Sequence, residues 1–216
     1  MVDGDQILAM GGLDQVELGF HGLRLEIQDK KKKEKKVILD GSIQGKASPG
    51  RMLAIMGPSG AGKSSVLHAL AGRIKEQSKV DLYGERFING HPVTGDSMIP
   101  AAVIEQEVNF FPHMSVRETL NFRVELKLGS RLKKKNRDKI VNDLLKQLRL
   151  EKSADTRVGN ASIRGISGGE RRRLSIAVEL ISSPSLIFLD EPTSGKNNKK
   201  WNRSLLDMVH LISTWL

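Results

Sequence analysis

Gly57-Pro58-Ser59-Gly60-Ala61-Gly62-Lys63-Ser64 restricts what this chain can fold into more than any other stretch. It has the form G-x-x-x-x-G-K-[ST], which reads as a phosphate-binding loop between a strand and a helix, the alternative being a chance Gly-rich turn before a helix. Glycines let the backbone curl until successive N–H groups face a single anion. Ahead of the loop, the apolar run 52–56 (MLAIM) has the length of a buried strand. Behind it, within residues 65–74, Leu67, Leu70, Ala71 and Ile74 fall at i, i+3, i+4 and i+7, one face of a helix. The dipole of that helix then points into the loop. In such a phosphate cradle Lys63 would reach the β- and γ-phosphates of a nucleoside triphosphate. The Ser64 hydroxyl would ligate Mg2+, and Ser65 completes the nucleotide-binding set.

A second acidic feature fits the first. Four apolar residues, Leu186–Leu189, run into Asp190 and Glu191. An Asp at the end of a buried strand helps to hold Mg2+ beside such a loop, and a carboxylate one residue further on can polarise an attacking water. An acidic helix cap after a buried strand would look the same locally; the upstream cradle favours the metal reading. Guanine specificity is unsupported, because Asn198-Lys199 is followed by Lys200-Trp201 and not by x-Asp.

Composition narrows the class. The chain has 216 residues, enough for one generous domain, with 38% hydrophobic and 28% charged residues, as in a soluble globular protein. There is no Cys, which excludes disulfides, thiolate metal sites and cysteine nucleophiles. No apolar run nears the roughly 20 residues that span a bilayer, and the acidic start MVDGDQILAMGG is unlike a signal peptide. The formal charge of +10 is concentrated in 30–36 (KKKKEKK) and 131–139 (RLKKKNRDK). Neither cluster interleaves aromatics as stacking platforms for bases, so both read as solvated surface loops and no nucleic-acid partner is expected.

Along the chain, 1–15 reads as a leader. Residues 16–27 and 37–39 read as strands around a lysine-rich hairpin loop, 80–83 and 86–88 as strands with Asn89-Gly90 as a turn, and Ala101–Ile104 as a buried strand. From about 115 to 150 the pattern is helical, with Ile140, Leu144, Leu145 and Leu148 as an apolar stripe. A Gly-rich turn at 164 then opens a helix with Leu174, Ala177, Val178 and Ile181 inward, ended by Pro184. Strand–helix alternation predicts an α/β domain around a mostly parallel core sheet, with an antiparallel β part at the N-terminal end and a helical insert.

The sequence RGISGGERRR, Arg164 to Arg173, supplies the family resemblance. Its ISGGE core resembles the signature motif of ATP-binding-cassette (ABC) ATPases, and RGISGGERRRLSIAVELI resembles the form found in the G subfamily of ABC transporters (the White and pleiotropic-drug-resistance type). Physically, Ser167, Gly168, Gly169 and Glu170 form a second anion site, with a hydroxyl and glycine amides at a helix start. The resemblance implies a P-loop NTPase fold of ABC type over 16–195, with a helical subdomain at about 112–166. It implies that Ser167, Gly168, Gly169 and Glu170 cap the γ-phosphate held by the cradle of a second nucleotide-binding domain, so that ATP is sandwiched in a dimer. It also implies that Gln106, after the strand Ala101–Ile104, senses Mg2+ and γ-phosphate, and that MSVRETLNF opens the insert. The partners implied are ATP, Mg2+, the second nucleotide-binding domain and a transmembrane permease domain. The location implied is the cytoplasmic face of a membrane.

Departures from the family pattern are equally specific. The N-terminal strands commonly carry an aromatic that stacks on adenine; Phe20 is a candidate, and Leu25 lies where an aromatic is expected. After Gly195 the family continues with Leu-Asp, but this chain has Lys196-Asn197. His210 falls inside an amphipathic helical pattern (Leu205, Val209, Ile212, Leu216) and reads as an ordinary helix histidine, not as the family's switch His. Residues 196–216 are therefore expected to be a divergent or truncated tail. Three readings follow: a transporter nucleotide-binding domain that hydrolyses ATP, a truncated cassette that binds without turnover, and a soluble ABC ATPase of translation or DNA repair.

Overall fold

The computed structural model describes residues 15–28, 34–74, 80–93, 101–105, 109–129 and 132–190. They fall into two compact units, one drawn from 13–103 and 185–190, the other from 104–184.

The first unit is built on a sheet of order β2-β1-β3-β4, antiparallel throughout: β1 (Leu18–Gln28), β2 (Lys35–Ala47), β3 (Val80–Ile88) and β4 (His91–Pro92). The inward phase of β1 changes along its length. Leu18 and Phe20 are buried, then Leu23 and Leu25. A strict period of two would put Leu23 and Leu25 on the outer face. A bulge restores them to the core: the pairing slips between Phe20 and Leu23, and Gly22 there has φ 66°. Opposite the bulge stands Gly84 with φ 104°, where a Cβ would lie 2.5 Å from the Gly22 carbonyl oxygen. The chain passes through Gly84 as one continuous strand, β3, where the sequence suggests two. At the β3–β4 turn, Asn89 and Gly90 have φ 51° and 79°, the left-handed pair a two-residue hairpin requires.

Helix α1 (Lys63–Leu70) buries Val66, Ala69 and Leu70, while Leu67, Ala71 and Ile74 pack half-buried at the edge of the same core. The helix stops four residues short of its apolar pattern. Gly72 (φ 68°) turns the chain, its N–H donates to Ala69 O, and the Arg73 N–H reaches back to His68 O, a Schellman ending. Strands β5 (Ala101–Ile104) and β6 (Leu186–Leu189) pair with each other and contribute Val103 and Phe188 to the core of Leu18, Leu23, Leu39 and Leu70.

The run 52–56 forms no strand. Met52, Leu53 and Met56 are 63%, 44% and 88% exposed. An apolar pentapeptide has strand propensity, but it becomes a strand only where a neighbour takes up its amides and carbonyls, and no described strand pairs with 52–56.

The second unit holds helices α2 (Val116–Leu128), α3 (Lys134–Gln147) and α4 (Gly168–Leu180), with a 3-10 turn at Glu151–Ser153. Helix α2 starts on a complete capping box: Ser115 Oγ accepts from the Glu118 N–H, and the Glu118 carboxylate accepts from the Ser115 N–H. The next two amides of the turn, those of Val116 and Arg117, donate to Thr156 O and Ala154 O. On α3 the buried residues are Ile140, Val141, Leu144 and Leu145, followed by Leu148. Among the described residues no helix is long and apolar enough to cross a membrane.

Candidate nucleotide site

In the first unit the glycine-rich loop turns through two left-handed residues, Gly60 (φ 80°) and Gly62 (φ 87°). A Cβ at Gly62 would stand 3.0 Å from Leu39 Cδ2, so β2 backs the loop and fixes its curvature. Gly62 is the cap of α1, and among the described residues the cap carries no side-chain hydrogen bond. Lys63 lies over the loop: its ammonium donates to Gly57 O at 3.0 Å and Pro58 O at 2.8 Å. Pro58, Ser59, Gly60 and Ala61 are exposed, with Lys63 and Ser65 half-buried beside them. The result is an accessible concave backbone with a cation along it.

Asp190 ends β6 and meets this loop. Ser64 Oγ donates to Asp190 Oδ1 at 3.0 Å, joining residues 126 positions apart. Two hard oxygen donors therefore share one locus at the start of α1. Glu191 and Gln106 lie outside the described residues.

In the second unit the signature residues open α4. Ser167 is its N-cap, in a second complete capping box with Glu170. Ser167 Oγ accepts from the Glu170 N–H at 3.3 Å and donates to Glu170 Oε2 at 2.6 Å, and the Ser167 N–H donates to the same oxygen at 2.8 Å. The hydrogen bond from Ser167, followed by that from Ser153, holds the Glu170 carboxyl below its ordinary range against a smaller opposing effect of burial. Ser167 and Gly168 are exposed and Gly169 is half-buried, so the helix start faces outward.

A crossed loop supports this helix start. A Cβ on Gly165 would fall 2.2 Å from Val158 O, and one on Gly159 would fall 2.5 Å from Ile163 O. Asn160 Oδ1 caps the amides of Ser162 and Ile163, while the Arg171 guanidinium donates to Val158 O and Gly159 O at 3.0 and 2.7 Å. Sequence reasoning missed Arg171 as a strut and Ser153 as a partner of Glu170. The triple-arginine run was a clue to the first; nothing local marks the second.

The candidate base-stacking residue, Phe20, does not serve. Phe20 is 5% exposed, its ring packed where a Cβ of Gly45 would come within 2.6 Å, and Leu25 is buried as well. Phe20 shares the inward phase of Leu18, and the bulge returns Leu25 to the same side.

Comparison with known proteins bears on the same motifs. The family model described as ABC transporter matches residues 41–194. ABC transporter G family member 7 of Arabidopsis thaliana is 44% identical over 188 residues, which is 86% of this chain and 26% of that protein. ABC transporter G family member STR of Medicago truncatula is 44% identical over 184 residues, 82% of this chain and 22% of that protein. The Mus musculus Broad substrate specificity ATP-binding cassette transporter ABCG2 is 40% identical over 195 residues, 88% of this chain and 29% of that protein. The chain thus spans about a quarter of the length of these curated relatives.

Proposed function

From the premise that this chain belongs to the ABC transporter family, with its G-subfamily members as relatives, we propose that it binds Mg-ATP as the nucleotide-binding domain of a transporter and couples hydrolysis to substrate movement. The observation that carries this reading is the Ser64 Oγ–Asp190 Oδ1 approach of 3.0 Å. Two oxygens cis to each other on an octahedral Mg2+ stand about 2.9 Å apart, given bonds of about 2.0–2.1 Å. The pair already has the spacing and the chemistry of two such ligands.

Each remaining role follows from what the atoms can do. The loop amides and the first turn of α1 are donors suited to phosphate oxygens. Lys63 exchanges the carbonyls of Gly57 and Pro58 for the β- and γ-phosphates, a stronger pairing because both partners are then charged. Bound Mg2+ supplies neutralisation of charge on the phosphate oxygens. Glu191 is assigned to activating water and Gln106 to sensing the metal, both by motif position. Ser167, Gly168 and Gly169 are assigned to the γ-phosphate of a second nucleotide-binding domain, with Glu170 holding the start of their helix, and a permease domain is the partner through which transport would run.

Ser64→Ala and Asp190→Asn test the metal half. ATP binding by the parent chain is expected to weaken about tenfold when Mg2+ is replaced by excess EDTA, and that difference is expected to shrink to less than about twofold in both variants. Unchanged Mg2+ dependence in both would remove the reading. A second reading, binding without turnover, is favoured by the loss of the family pattern at Lys196-Asn197. Steady-state ATPase activity that disappears in Glu191→Gln would rule it out.

A further inference from the structure

Four polar residues are buried among the described ones: Ser115, Thr119, Ser153 and Ser175. Ser115 caps α2, Thr119 Oγ1 bonds Ser115 O, and Ser175 Oγ bonds Arg172 O, all of them local backbone partners. Ser153 is different. Its hydroxyl, on a residue 6% exposed, donates at 2.7 Å to Glu170 Oε1, a carboxylate 17 residues away at the signature.

That bond matters because of what Ser167 must do. A serine hydroxyl has one proton to donate, and a γ-phosphate oxygen can only accept it. In this structure the proton of Ser167 goes to Glu170 Oε2. To engage phosphate, Ser167 has to hand its proton over, and Glu170 loses one of its donors at that moment. A carboxylate short of donors is costly to leave and repels an approaching phosphate. Ser153 supplies a replacement from a different element. After the handover Glu170 still has Ser153 Oγ on Oε1 and the Ser167 N–H on Oε2. Its carboxylate stays turned into its own unit.

The support for Ser153 is firm. It lies at the end of the 3-10 turn, its N–H donates to Leu150 O, and its carbonyl accepts from the Thr156 N–H. From there, residues 154–159 pair with 112–117 through Arg117 N to Ala154 O, Val116 N to Thr156 O, Val158 N to Met114 O and Gly159 N to Pro112 O. Arg171 of α4 donates to Val158 O and Gly159 O, so the segment that carries the donor is tied to α4 as well.

We propose that Ser153 is a positioning residue for nucleotide engagement in trans: it anchors the Glu170 carboxylate so that the Ser167 hydroxyl can be released to the γ-phosphate. The proposal rests on the assignment of Ser167 to a second domain's nucleotide.

The test uses the full chain, Mg-ATP as probe, and two readouts: ATP binding at the chain's own cradle and ATP-dependent self-association by sedimentation. Ser153→Ala is expected to weaken ATP-dependent association about tenfold, the scale of a hydrogen bond to a charged group, with cradle binding unchanged within about twofold. In a Glu170→Ala background the same substitution is expected to have no further effect, because the acceptor it serves is gone. Association unaffected by Ser153→Ala overturns the proposal. So does an equal loss in both backgrounds, or a matching loss of cradle binding, since either marks a general structural defect. A parent chain that binds ATP but never associates overturns the trans assignment itself, and the proposal with it.

Discussion

The two helix starts that carry this chain's most informative motifs, α1 behind the glycine-rich loop and α4 at the signature, are built in opposite ways. At α1 the cap is a glycine with no side-chain hydrogen bond among the described residues, and the loop is shaped by the left-handed Gly60 and Gly62. At α4 the first turn is closed by Ser167 and Glu170 in a reciprocal box, with Ser153 and Arg171 behind it. Both are helix N-termini suited to anions. At α1 the bonds to be exchanged are those of Lys63 to two loop carbonyls and of Ser64 to Asp190; at α4 the Ser167 hydroxyl must first leave Glu170. On the proposed function, the first exchange prepares the chain's own cradle for nucleotide and the second is the step made in trans.

The largest expected effect comes from the packing under the signature. Gly165→Ala places a Cβ 2.2 Å from Val158 O, against backbone that cannot turn aside. It is expected to cost about 3 kcal/mol or more in thermal unfolding. Gly168→Ala, three residues on, meets nothing within 4 Å and is expected to change stability by less than about 0.5 kcal/mol. Equal costs at the two positions would mean that the crossed loop does not set the signature's position.

Acid should separate the two helix starts more gently. The Glu170 carboxyl is held below the ordinary carboxylate range by Ser167 and Ser153. A group depressed in the folded state contributes stability that is fully present above its unfolded pKa and is lost as pH falls through the folded value. Hydrogen-exchange protection at the start of α4 should therefore decline below about pH 4.5, while the start of α1, with no acidic residue in its first turn, should hold. Glu170→Gln should abolish the decline at α4. The Glu118 box at α2, whose carboxyl is also lowered, should decline in the same way in both proteins and serves as an internal control.

Much of this was readable from sequence, and the pattern of success is physical. The cradle, the Leu-Leu-bounded run into Asp190 and the signature are specified by residues close together in the chain, where glycine freedom and capping chemistry act locally. The Ser115 and Ser167 caps have the same character. Features that depend on distant partners were not readable. The run 52–56 looks like a strand until its neighbours are known, and Phe20 looks available until its ring is seen packed against Gly45. Gly72 ends α1 while the apolar period continues past it. Ser153 has no distinguishing neighbour in sequence; only the approach of the 3-10 turn to α4 makes it a partner of Glu170.

The central claim is that the loop at 57–64 holds the phosphates of ATP. Equilibrium binding of ATP to the parent chain and to Lys63→Ala tests it most directly. The account predicts binding weakened roughly a hundredfold, the scale of losing charge-assisted bonds to phosphate, with the fold intact by circular dichroism. ATP bound equally well by both proteins would contradict it.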